Sequence, residues 1–590
     1  MTACDVAVIG AGHAGIEAAL AASRLGCSVV CFATQLDAVG NMPCNPSIGG
    51  TAKGCLVREV DALGGEMGRA ADACCIQYRL LNRGKGPAVR SLRAQADRAR
   101  YREYMKRVLE REVTLKQAEI VALRGVSGSY TLTTANGVTY TAAAVVVAAG
   151  TFLNGRVVTG EHVCPGGPDG LLPAVGLSGS LERLGLHTRR FKTGTPPRVL
   201  GRTVDFSKME IQEGEDTVPF SFMSPRPVRN ETVCWLTWTN GDVHRILREN
   251  LHRSPLFSGV IEGVGPRYCP SIEDKVVRFA GKERHPVFCE PMGLETGEIY
   301  LQGMSSSMPE EIQERAVRAV AGLERAELTR PGYAIEYDCF DPLEFTPALM
   351  AKQNPGLFGA GQNMGSSGYE EAAAQGLVAG INAARFVRGG EPFILPRSSS
   401  YIGTLIDDLV TRGTEEPYRM MTSRSEYRLL LRQDNADLRL TPLGARLGLL
   451  PEARADAVTA KYAAAEDEIA RLEKLRLAER LRRPDVTYAS LAPFDPARPD
   501  LPEEVTEQVE IQVKYEGYLR RQRGLMEEMA RMENKELPED TDYAAIRGLR
   551  TEAREKLAKV RPVNLGQASR VSGVSPADLT ALMIWLRRRQ

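Results

Sequence analysis

The hydrophobic pattern changes character within the first thirty residues. A short apolar run at residues 5–9 leads into a glycine-rich turn, and residues 16–24 are alanine-rich, as in a helix. The pattern predicts a buried strand, a tight turn and a helix. The turn consists of Gly10, Ala11, Gly12, His13, Ala14 and Gly15. Between a strand and a helix, such glycines form a dinucleotide-binding fingerprint whose helix N-terminus faces the pyrophosphate.

Two later strand-to-glycine junctions predict that the same sheet approaches the nucleotide again. Residues 142–149 are mostly apolar and end at Gly150, and residues 356–361 read GLFGAG ahead of a helix that starts near Gly368. Each junction alone fits an ordinary tight turn, whereas three in order favour a single discontinuous domain. Since the fingerprint lies at the N-terminus, we expect a held flavin rather than a passing nicotinamide. The predicted fold is an α/β FAD-binding Rossmann-type domain, glutathione-reductase-like, over residues 1–200 and 331–396.

The remaining segments have different patterns. Residues 201–330 combine proline-rich turns with alternating strands such as 232–239, which predicts an inserted α+β domain. After residue 396, apolar residues recur at helical spacing among dense charges in three segments, residues 453–483, 505–536 and 543–559. They predict an all-helical C-terminal domain over residues 397–590.

One part of the dinucleotide fingerprint is missing. The second strand, at residues 27–33, is expected to end in an acid that binds the adenosine ribose, about 20 residues after the glycines. It ends instead in Thr34 and Gln35, and the nearest acid, Asp37, comes too late. We therefore expect the ribose contact from Thr34 or from backbone.

Composition narrows the class of protein. The 590 residues are 43% hydrophobic and carry 75 basic and 74 acidic side chains, a net charge of +1. This balance excludes a globally basic nucleic-acid binder but leaves room for local basic faces. No leader segment and no apolar run of about 18 residues is visible, so we expect a cytoplasmic protein. The twelve cysteines contain no zinc-type spacing and favour neither a metal site nor a disulfide framework.

Two cysteines lie in unusual surroundings. Cys44 is in a loop of turn formers and glycines that leads to a helix, with Lys53 and Arg58 close in sequence, and Cys269 follows Arg267 in a rigid loop ahead of another helix. Nearby cations and a helix N-terminus favour a thiolate, which predicts two reactive thiols. We interpret the other ten as small buried hydrophobes: Cys4, Cys27, Cys31, Cys55, Cys74, Cys75, Cys164, Cys234, Cys289 and Cys339.

Two basic segments could contact phosphates. Arginines recur at near-helical spacing over residues 90–111, and the chain ends in a predicted pair of short helices followed by arginines at 587–589. Ser575, Pro576 and Asp578 form the N-cap, first position and capping-box acid of the last helix. The pair fits a helix-turn-helix or an ordinary helical hairpin equally well, and the arginines fit phosphate contacts or a solvated face.

Taken together, these motifs resemble the MnmG (GidA) family of tRNA uridine 5-carboxymethylaminomethyl modification enzymes almost from end to end. The matching segments span every predicted domain: GAGHAG at 10–15, CNPSIGG at 44–50, KGPAVR at 85–90, FKTGTPPR at 191–198, GVIEGVGPRYCPSIEDK at 259–275, RPGYAIEYD at 330–338, GYEEAAAQG at 368–376, EPYRMMTSRSEYRLLLRQDNADLRLT at 416–441, EQVEIQVKYEGY at 507–518 and GQASRVSGVSPA at 566–577.

The resemblance implies an activity and a set of site residues. FAD is expected at residues 10–15 with contributions near Glu119 and Gln362, and Cys44 and Cys269 are expected to act as nucleophile and acid/base thiols in an order left open. NADH is expected along a stretch of the inserted domain: Gly265, Pro266, Arg267, Tyr268, Pro270, Ser271, Ile272, Glu273, Asp274, Lys275, Val276, Val277, Arg278 and Phe279.

The resemblance also implies partners. With a GTPase, MnmE, that holds a folate-derived one-carbon unit, such enzymes install an aminomethyl or carboxymethylaminomethyl group on carbon 5 of the wobble uridine of certain tRNAs. A homodimer that forms a heterotetramer with the GTPase is expected. Three alternatives stay open: a folate- and FAD-dependent uridine methyltransferase of the T loop, an NADH-dependent flavin reductase of a small metabolite, and a nucleic-acid-binding or regulatory protein with a structural flavin. The helical last third argues against the first.

Overall fold

The computed structural model describes residues 2–225, 227–268, 270–538 and 540–589. The strands are β1 Thr2–Ile9, β2 Val29–Ala33, β3 Ser47–Gly49, β4 Cys75–Leu81, β5 Ser91–Ala96, β6 Thr114–Gln117, β7 Ile120–Val126, β8 Ser129–Thr134, β9 Thr139–Val147, β10 Arg156–Thr159, β11 His162–Pro165, β12 Thr188–Thr195, β13 Arg198–Leu200, β14 Glu210–Gln212, β15 Cys234–Trp238, β16 Pro286–Pro291, β17 Glu298–Gln302, β18 Leu328–Arg330, β19 Tyr333–Phe340 and β20 Leu357–Gly359.

The α-helices are concentrated in the last third. They are α1 His13–Arg24, α2 Lys53–Ala62, α3 Met67–Cys74, α4 Arg98–Glu112, α5 Leu177–Arg183, α6 Gly241–Glu249, α7 Ile272–Arg278, α8 Glu310–Arg318, α9 Tyr369–Val387, α10 Tyr401–Asp407, α11 Ala436–Leu447, α12 Glu452–Lys474, α13 Ala478–Leu481, α14 Glu503–Glu533, α15 Thr551–Val560, α16 Leu565–Arg570 and α17 Pro576–Arg589.

The N-terminal domain is built on a mainly parallel sheet of order β6-β2-β1-β9, with β20 also paired to β9. Strand β1 pairs in parallel with both β2 and β9. The second half of β9 pairs in parallel with β20, while its first half pairs antiparallel with β8. The three predicted strand-to-glycine junctions therefore lie at the carboxyl edge of one sheet, where open α/β folds bind ligands. The predicted FAD-binding Rossmann-type fold class is confirmed.

Small residues allow the elements of this domain to approach closely. Gly10 has a φ of +107°, a conformation that favours glycine, and a Cβ on Gly15 would collide with the carbonyl of Gly10. Helix α9 crosses α1 so closely that Cβ atoms on Gly376 and Gly380 would collide with the α1 backbone. The glycines thus bring the two helices together over the strands they cover.

Three further sheets surround the carboxyl edge of the parallel sheet. Antiparallel β3, β5 and β4 form a small sheet, and β11-β10-β19-β12 form another. The third has the order β14-β15-β16-β17-β13-β18 and packs with helices α6, α7 and α8 around a separate apolar core. An α+β insertion is therefore present, while the boundaries proposed for the domains stay predictions.

The last third is helical, and one detail of the sequence interpretation was wrong. The helix expected at 543–559 begins only at Thr551, because Tyr543, Ile546 and Leu549 are buried from turns rather than from one helical face. The basic segment 90–111 spans β5 and α4, so its arginines lie on two elements. The capping box is confirmed: the Asp578 backbone N–H donates to Ser575 Oγ at 3.3 Å, and the Ser575 N–H donates to Asp578 Oδ2 at 2.8 Å.

Within the described part of the chain, no helix has both the length and the apolar character to cross a membrane. The same residues contain no cluster of histidine, cysteine, aspartate and glutamate that could hold a metal ion.

Candidate functional site

A cavity of about 910 Å³ lies where the four described sheets meet. One end is formed by the fingerprint turn, by the strand ends that follow it and by the start of α9. The other end is formed by the inner face of β16 and β17 and by β4 and β5. Cys44 lies on its wall between the two ends. The cavity therefore joins the predicted nucleotide site to a second, polar compartment.

The fingerprint end has the features of a dinucleotide site. The position of a Cβ on Gly12 has no atom within 4 Å, so the backbone leaves an open cradle where α1 begins. Thr34 and Gln35 line the cavity, as do Glu119 and Gln362, whereas Asp37 is exposed and its carboxylate is 3.1 Å from Lys106 Nζ. The side chain of Glu119 is fixed by the Val175 N–H, which donates to it at 2.9 Å. These residues fit a bound FAD, and a ribose contact from Thr34 or from backbone stays a prediction.

His13 at the start of α1 is buried and neutral. Its ring stacks on Tyr369 with centroids 4.6 Å apart and lies 5.7 Å from Tyr101. Burial lowers the pKa of His13 to about 3. No hydrogen-bond partner for its Nε2 is present among the described residues. The ring therefore adds no positive charge to the site at physiological pH.

Cys44 is half-buried and contacts three different elements. Its backbone N–H donates to the Tyr369 hydroxyl at 2.9 Å, and its Sγ is 3.1 Å from the Tyr300 hydroxyl and 3.9 Å from the Gly194 carbonyl. Burial raises the pKa of Tyr369 well above its ordinary value, so this hydroxyl stays protonated. The thiol is thus held between the start of α9 and the inserted sheet, facing the shared cavity.

The proposed source of thiol activation needs correction. Helix α2 begins at Lys53, nine residues after Cys44 and beyond β3, so the thiol does not precede this helix directly. Lys53 Nζ instead pairs with Glu370 at 2.9 Å and with Glu371 at 3.2 Å, and Arg58 donates to the Pro219 carbonyl at 2.7 Å. Lys53 and Arg58 thus take partners from distant segments of the chain, and their predicted effect on the thiol stays a prediction.

The Lys53 cluster fixes the start of α9 under the cavity. Burial alone lowers the pKa of Lys53, but Glu370 and Glu371 raise it by a larger amount, so the ammonium is retained. Glu370 also accepts the Gly49 N–H at 2.7 Å, and Glu371 accepts the Met420 N–H at 3.0 Å. Two carboxylates therefore tie three separate segments to one helix N-terminus, where negative charge is also favoured by the helix dipole.

The loop that precedes Cys44 is anchored by Asp169. This carboxylate pairs with Arg98, Arg198 and Arg330 and accepts a hydrogen bond from Asn41 at 2.8 Å. Arg98 and Arg198 also donate to the carbonyls of residues 42 and 43, at 3.0 and 3.2 Å. Asp169 has a φ of +60°, an uncommon conformation for an aspartate. The cluster holds the backbone that positions Cys44.

The stretch expected to meet NADH is only partly on the cavity. Pro266, Tyr268, Pro270 and Lys275 line it, whereas Ser271, Ile272, Glu273, Asp274 and Val276 are buried in the inserted domain. Gly265 lies against Lys192, and Val277 and Phe279 are exposed. Cys269 lies outside the described residues. The roles assigned to these residues stay predictions.

The far end of the cavity has a polar floor. Glu290 and Tyr300 are directly paired across β16 and β17, and Phe288 and Gln302 are the next pair on the same face. All four line the cavity. Arg93 on β5 donates to Glu290 Oε1 at 2.6 Å. Burial raises the pKa of Glu290, and the ion pair with Arg93 opposes that effect.

Several of these residues were missed from the sequence. Tyr300, Tyr369, Glu290 and the cavity-lining segment 419–423 are brought together from distant parts of the chain. For Tyr369 a signal existed, because two acids follow it at a helix start. Tyr300 and Glu290 occupy ordinary strands with no local signal.

The family model described as Glucose inhibited division protein A matches residues 5–391. Models described as the tRNA modifying enzyme MnmG/GidA C-terminal helical domain and C-terminal helical bundle match residues 452–523 and 525–590.

Full-length relatives are also found. A protein of Caldicellulosiruptor saccharolyticus named tRNA uridine 5-carboxymethylaminomethyl modification enzyme MnmG is 56% identical, covering 99% of this chain and 98% of the relative. A protein of the same name from Clostridium kluyveri is 53% identical with the same coverage. The crystal form I structure of Aquifex aeolicus GidA is 48% identical, with a TM-score of 0.94 over 99% of this chain and all of that chain. Its form II structure is 47% identical, with a TM-score of 0.93 over 99% of this chain and 98% of that one.

Proposed function

Because the chain belongs to the glucose inhibited division protein A (GidA) family, we propose that it is a flavin-dependent enzyme that modifies tRNA uridines. The product is an aminomethyl or carboxymethylaminomethyl group on carbon 5 of the wobble uridine. The observation that carries this proposal is the single cavity that contains both the fingerprint turn and Cys44. The full-length relatives named for this reaction support the choice of substrate.

The residues around the cavity suit FAD at its fingerprint end. Gly10 and Gly12 would approach the pyrophosphate, with Thr34, Glu119 and Gln362 along the nucleotide. When bound, FAD supplies the redox chemistry that the one-carbon transfer requires. We assign the reducing cofactor NADH to the side of the cavity that Pro266, Tyr268, Pro270 and Lys275 line.

Carbon 5 of uracil is a weak nucleophile, and a thiol can change that. A thiolate that adds to carbon 6 converts the base into an enolate, whose carbon 5 then attacks the one-carbon unit. Loss of the proton from carbon 5 would expel the thiolate and restore the aromatic base, and an amine would displace the folate nitrogen from the methylene, so that the folate leaves with the amine's proton. In this scheme Cys44 and Cys269 serve as nucleophile and acid/base in an order left open, and Tyr300 is placed to hydrogen-bond the Cys44 sulfur.

The substrate and partners follow from the same proposal. The wobble base has to leave the anticodon stack to enter the cavity, as bases do in other enzymes that act on them. Exposed arginines of α4 and the C-terminal helices supply contacts to tRNA phosphates. The GTPase MnmE, carrying a folate-derived one-carbon unit, is the proposed partner of a homodimer of this chain in the cytoplasm.

Nucleoside mass spectrometry of total tRNA tests the function directly. Cells that lack the protein are expected to lose the aminomethyl-type wobble uridines and to keep the methyluridine of the T loop. The native gene restores the modification, and C44S does not. Loss of the T-loop methyluridine instead would favour the methyltransferase alternative, and an unchanged tRNA would leave a flavin reductase of a small metabolite.

A further inference from the structure

The polar floor of the cavity contains one acceptor without a donor. Glu290 is 2% exposed, and its Oε1 accepts the hydrogen bond from Arg93. Its Oε2 is fully buried and has no hydrogen-bond partner among the described residues. A buried carboxylate oxygen left unpaired costs free energy, so such groups in native structures have a ligand or a functional reason.

Glu290 lies on the sheet face that also carries the tyrosine in contact with Cys44. Its cross-strand neighbour is Tyr300, whose hydroxyl lies 3.1 Å from Cys44 Sγ. Glu290 therefore neighbours a residue that contacts the thiol. Neighbouring side chains on one face of an antiparallel pair have Cβ atoms about 5 Å apart. The next pair on that face supplies Phe288, an aromatic surface for stacking, and Gln302, an amide that can donate or accept.

We propose that Glu290 is the residue that selects uracil, its unpaired carboxylate oxygen accepting the N3–H of the base extruded into this compartment. Uracil presents N3–H as its donor between two carbonyl acceptors, whereas the N3 of cytosine is itself an acceptor. A carboxylate only accepts, and therefore matches the first base and repels the second. Arg93, paired to the other oxygen, orients the carboxylate and favours its ionised form. This inference rests on the proposed function, because it names the contact by which that substrate is read.

The test uses the full-length, flavin-loaded protein and anticodon stem–loop RNAs with uridine, 3-methyluridine or cytidine at the wobble position. Dissociation constants are measured by fluorescence anisotropy at one fixed salt concentration, because phosphate contacts make affinity salt-dependent. The native protein is expected to bind the uridine RNA about tenfold more tightly than the 3-methyluridine RNA, whose N3 cannot donate. In E290A this preference disappears, since there is no acceptor left to lose.

Glu327 provides a matched control. It is an exposed glutamate of the same inserted domain and does not line the cavity, so E327A is expected to keep the native preference. E290Q preserves the side-chain volume, so it replaces E290A in the test if E290A does not retain its flavin. Its amide can donate to N3 of cytosine, so E290Q is expected to bind the cytidine RNA more tightly than the native protein does.

Three outcomes would overturn the inference. The first is a native protein that binds uridine and 3-methyluridine RNAs equally, and the second is an E290A variant that keeps the native preference. The third is a rise in the NADH concentration needed to reduce the flavin in E290A, which would place Glu290 in the nicotinamide site.

A separate assay with the partner GTPase and a one-carbon donor follows modification of the uridine RNA. Failure of the native protein there rejects the proposed function, while success there with any of the three outcomes rejects only the role of Glu290.

Discussion

At the scale of single residues, the sulfur of Cys44 lies beside the hydroxyl of a buried tyrosine. The Tyr300 hydroxyl lies 3.1 Å from the sulfur, and Tyr300 is fully buried, so its hydroxyl is held in place by the surrounding sheet. A hydroxyl that donates to a thiolate stabilises the reactive form. This geometry predicts that Tyr300 positions and activates the thiol, a role for which the local sequence gave no signal.

Y300F is expected to slow alkylation of Cys44 by iodoacetamide at neutral pH roughly fivefold, the effect of one lost hydrogen bond to sulfur. The rate is measured by mass spectrometry of the Cys44 peptide, with Cys164, another half-buried thiol, as internal reference. Y337F is the matched control, because Tyr337 is also fully buried and its hydroxyl has no hydrogen-bond partner among the described residues. Equal rates in native protein and Y300F would reject the role of the hydroxyl.

His13 is expected to make the fold sensitive to acid. Its pKa is about 3 in the folded protein and about 6.5 in an unfolded chain, so protons bind preferentially to the unfolded state. The stabilising contribution of the neutral ring is fully present above pH 6.5 and is lost as the pH falls from there towards 3. Between pH 7.5 and 5.5 the loss is about 1.4 kcal/mol.

H13F keeps a ring against Tyr369 and removes the titration. Its melting temperature is expected to fall less than that of the native protein between pH 7.5 and 5.5, as measured by differential scanning fluorimetry. H187Q is the control with opposite sign, since the carboxylate of Glu344 raises the pKa of His187 and its contribution is lost as the pH rises. An H13F protein as acid-sensitive as the native one would contradict the assignment.

At the scale of elements, the sequence predicted structures that depend on neighbouring residues better than structures that depend on residues distant in the chain. The strand, turn and helix around residues 10–15 were predictable because apolar periodicity and glycine chemistry are local. Helix α15 was predicted eight residues too early because Tyr543, Ile546 and Leu549 mimic a helical pattern while packing from turns. The loop before Cys44 was recognised as special, but not its anchor, since Asp169 lies more than 120 residues away in sequence.

One arginine connects the C-terminal helices to the rest of the chain. The side chain of Arg570, at the end of α16, is 8% exposed, and it contacts Asp407 at 2.7 Å and Glu533 at 3.1 Å. Asp407 ends α10 and directly precedes a π-helical turn, Asp408–Arg412. Such turns are often found at functional sites. The contact therefore docks the terminal bundle onto an irregular segment next to the cavity-lining region.

R570M is expected to weaken this docking by about 3 kcal/mol, because it removes an ion-pair partner from the buried Asp407 and from the half-buried Glu533. Hydrogen–deuterium exchange is expected to increase at residues 401–412 and 565–570 while the parallel sheet stays protected. R547M is the control, since Arg547 is exposed on a neighbouring turn. An increase spread evenly over the whole chain would indicate global destabilisation rather than loss of a docking contact.

At the scale of the whole molecule, the cavity is a product of chain topology. The fingerprint turn, the junction after β9, the start of α9 and the segment 419–423 all line it. The last of these belongs to the predicted helical domain and is tied to α9 through the hydrogen bond from Met420 to Glu371. Residues 10–14 and Cys44, which the sequence analysis assigned to the site, line this cavity, and their roles stay predictions. The polar floor could not be predicted, because it forms where strands distant in sequence contact each other, and such contacts leave no periodic pattern in the sequence.

This topology leads to a prediction for cofactor removal. A ligand present at 100 times its dissociation constant stabilises the folded state by about 2.7 kcal/mol. Adding FAD to flavin-depleted protein is therefore expected to raise the melting temperature and to slow hydrogen exchange in four distant segments, residues 10–15, 148–152, 361–369 and 419–423. Residues 478–494, which lie in a separate apolar core of the helical region, serve as the internal control and are expected to be unaffected. Glu371 links the segment 419–423 to α9, whose start lines the cavity. Protection confined to the first three segments would therefore contradict a coupling between the cofactor and the helical third.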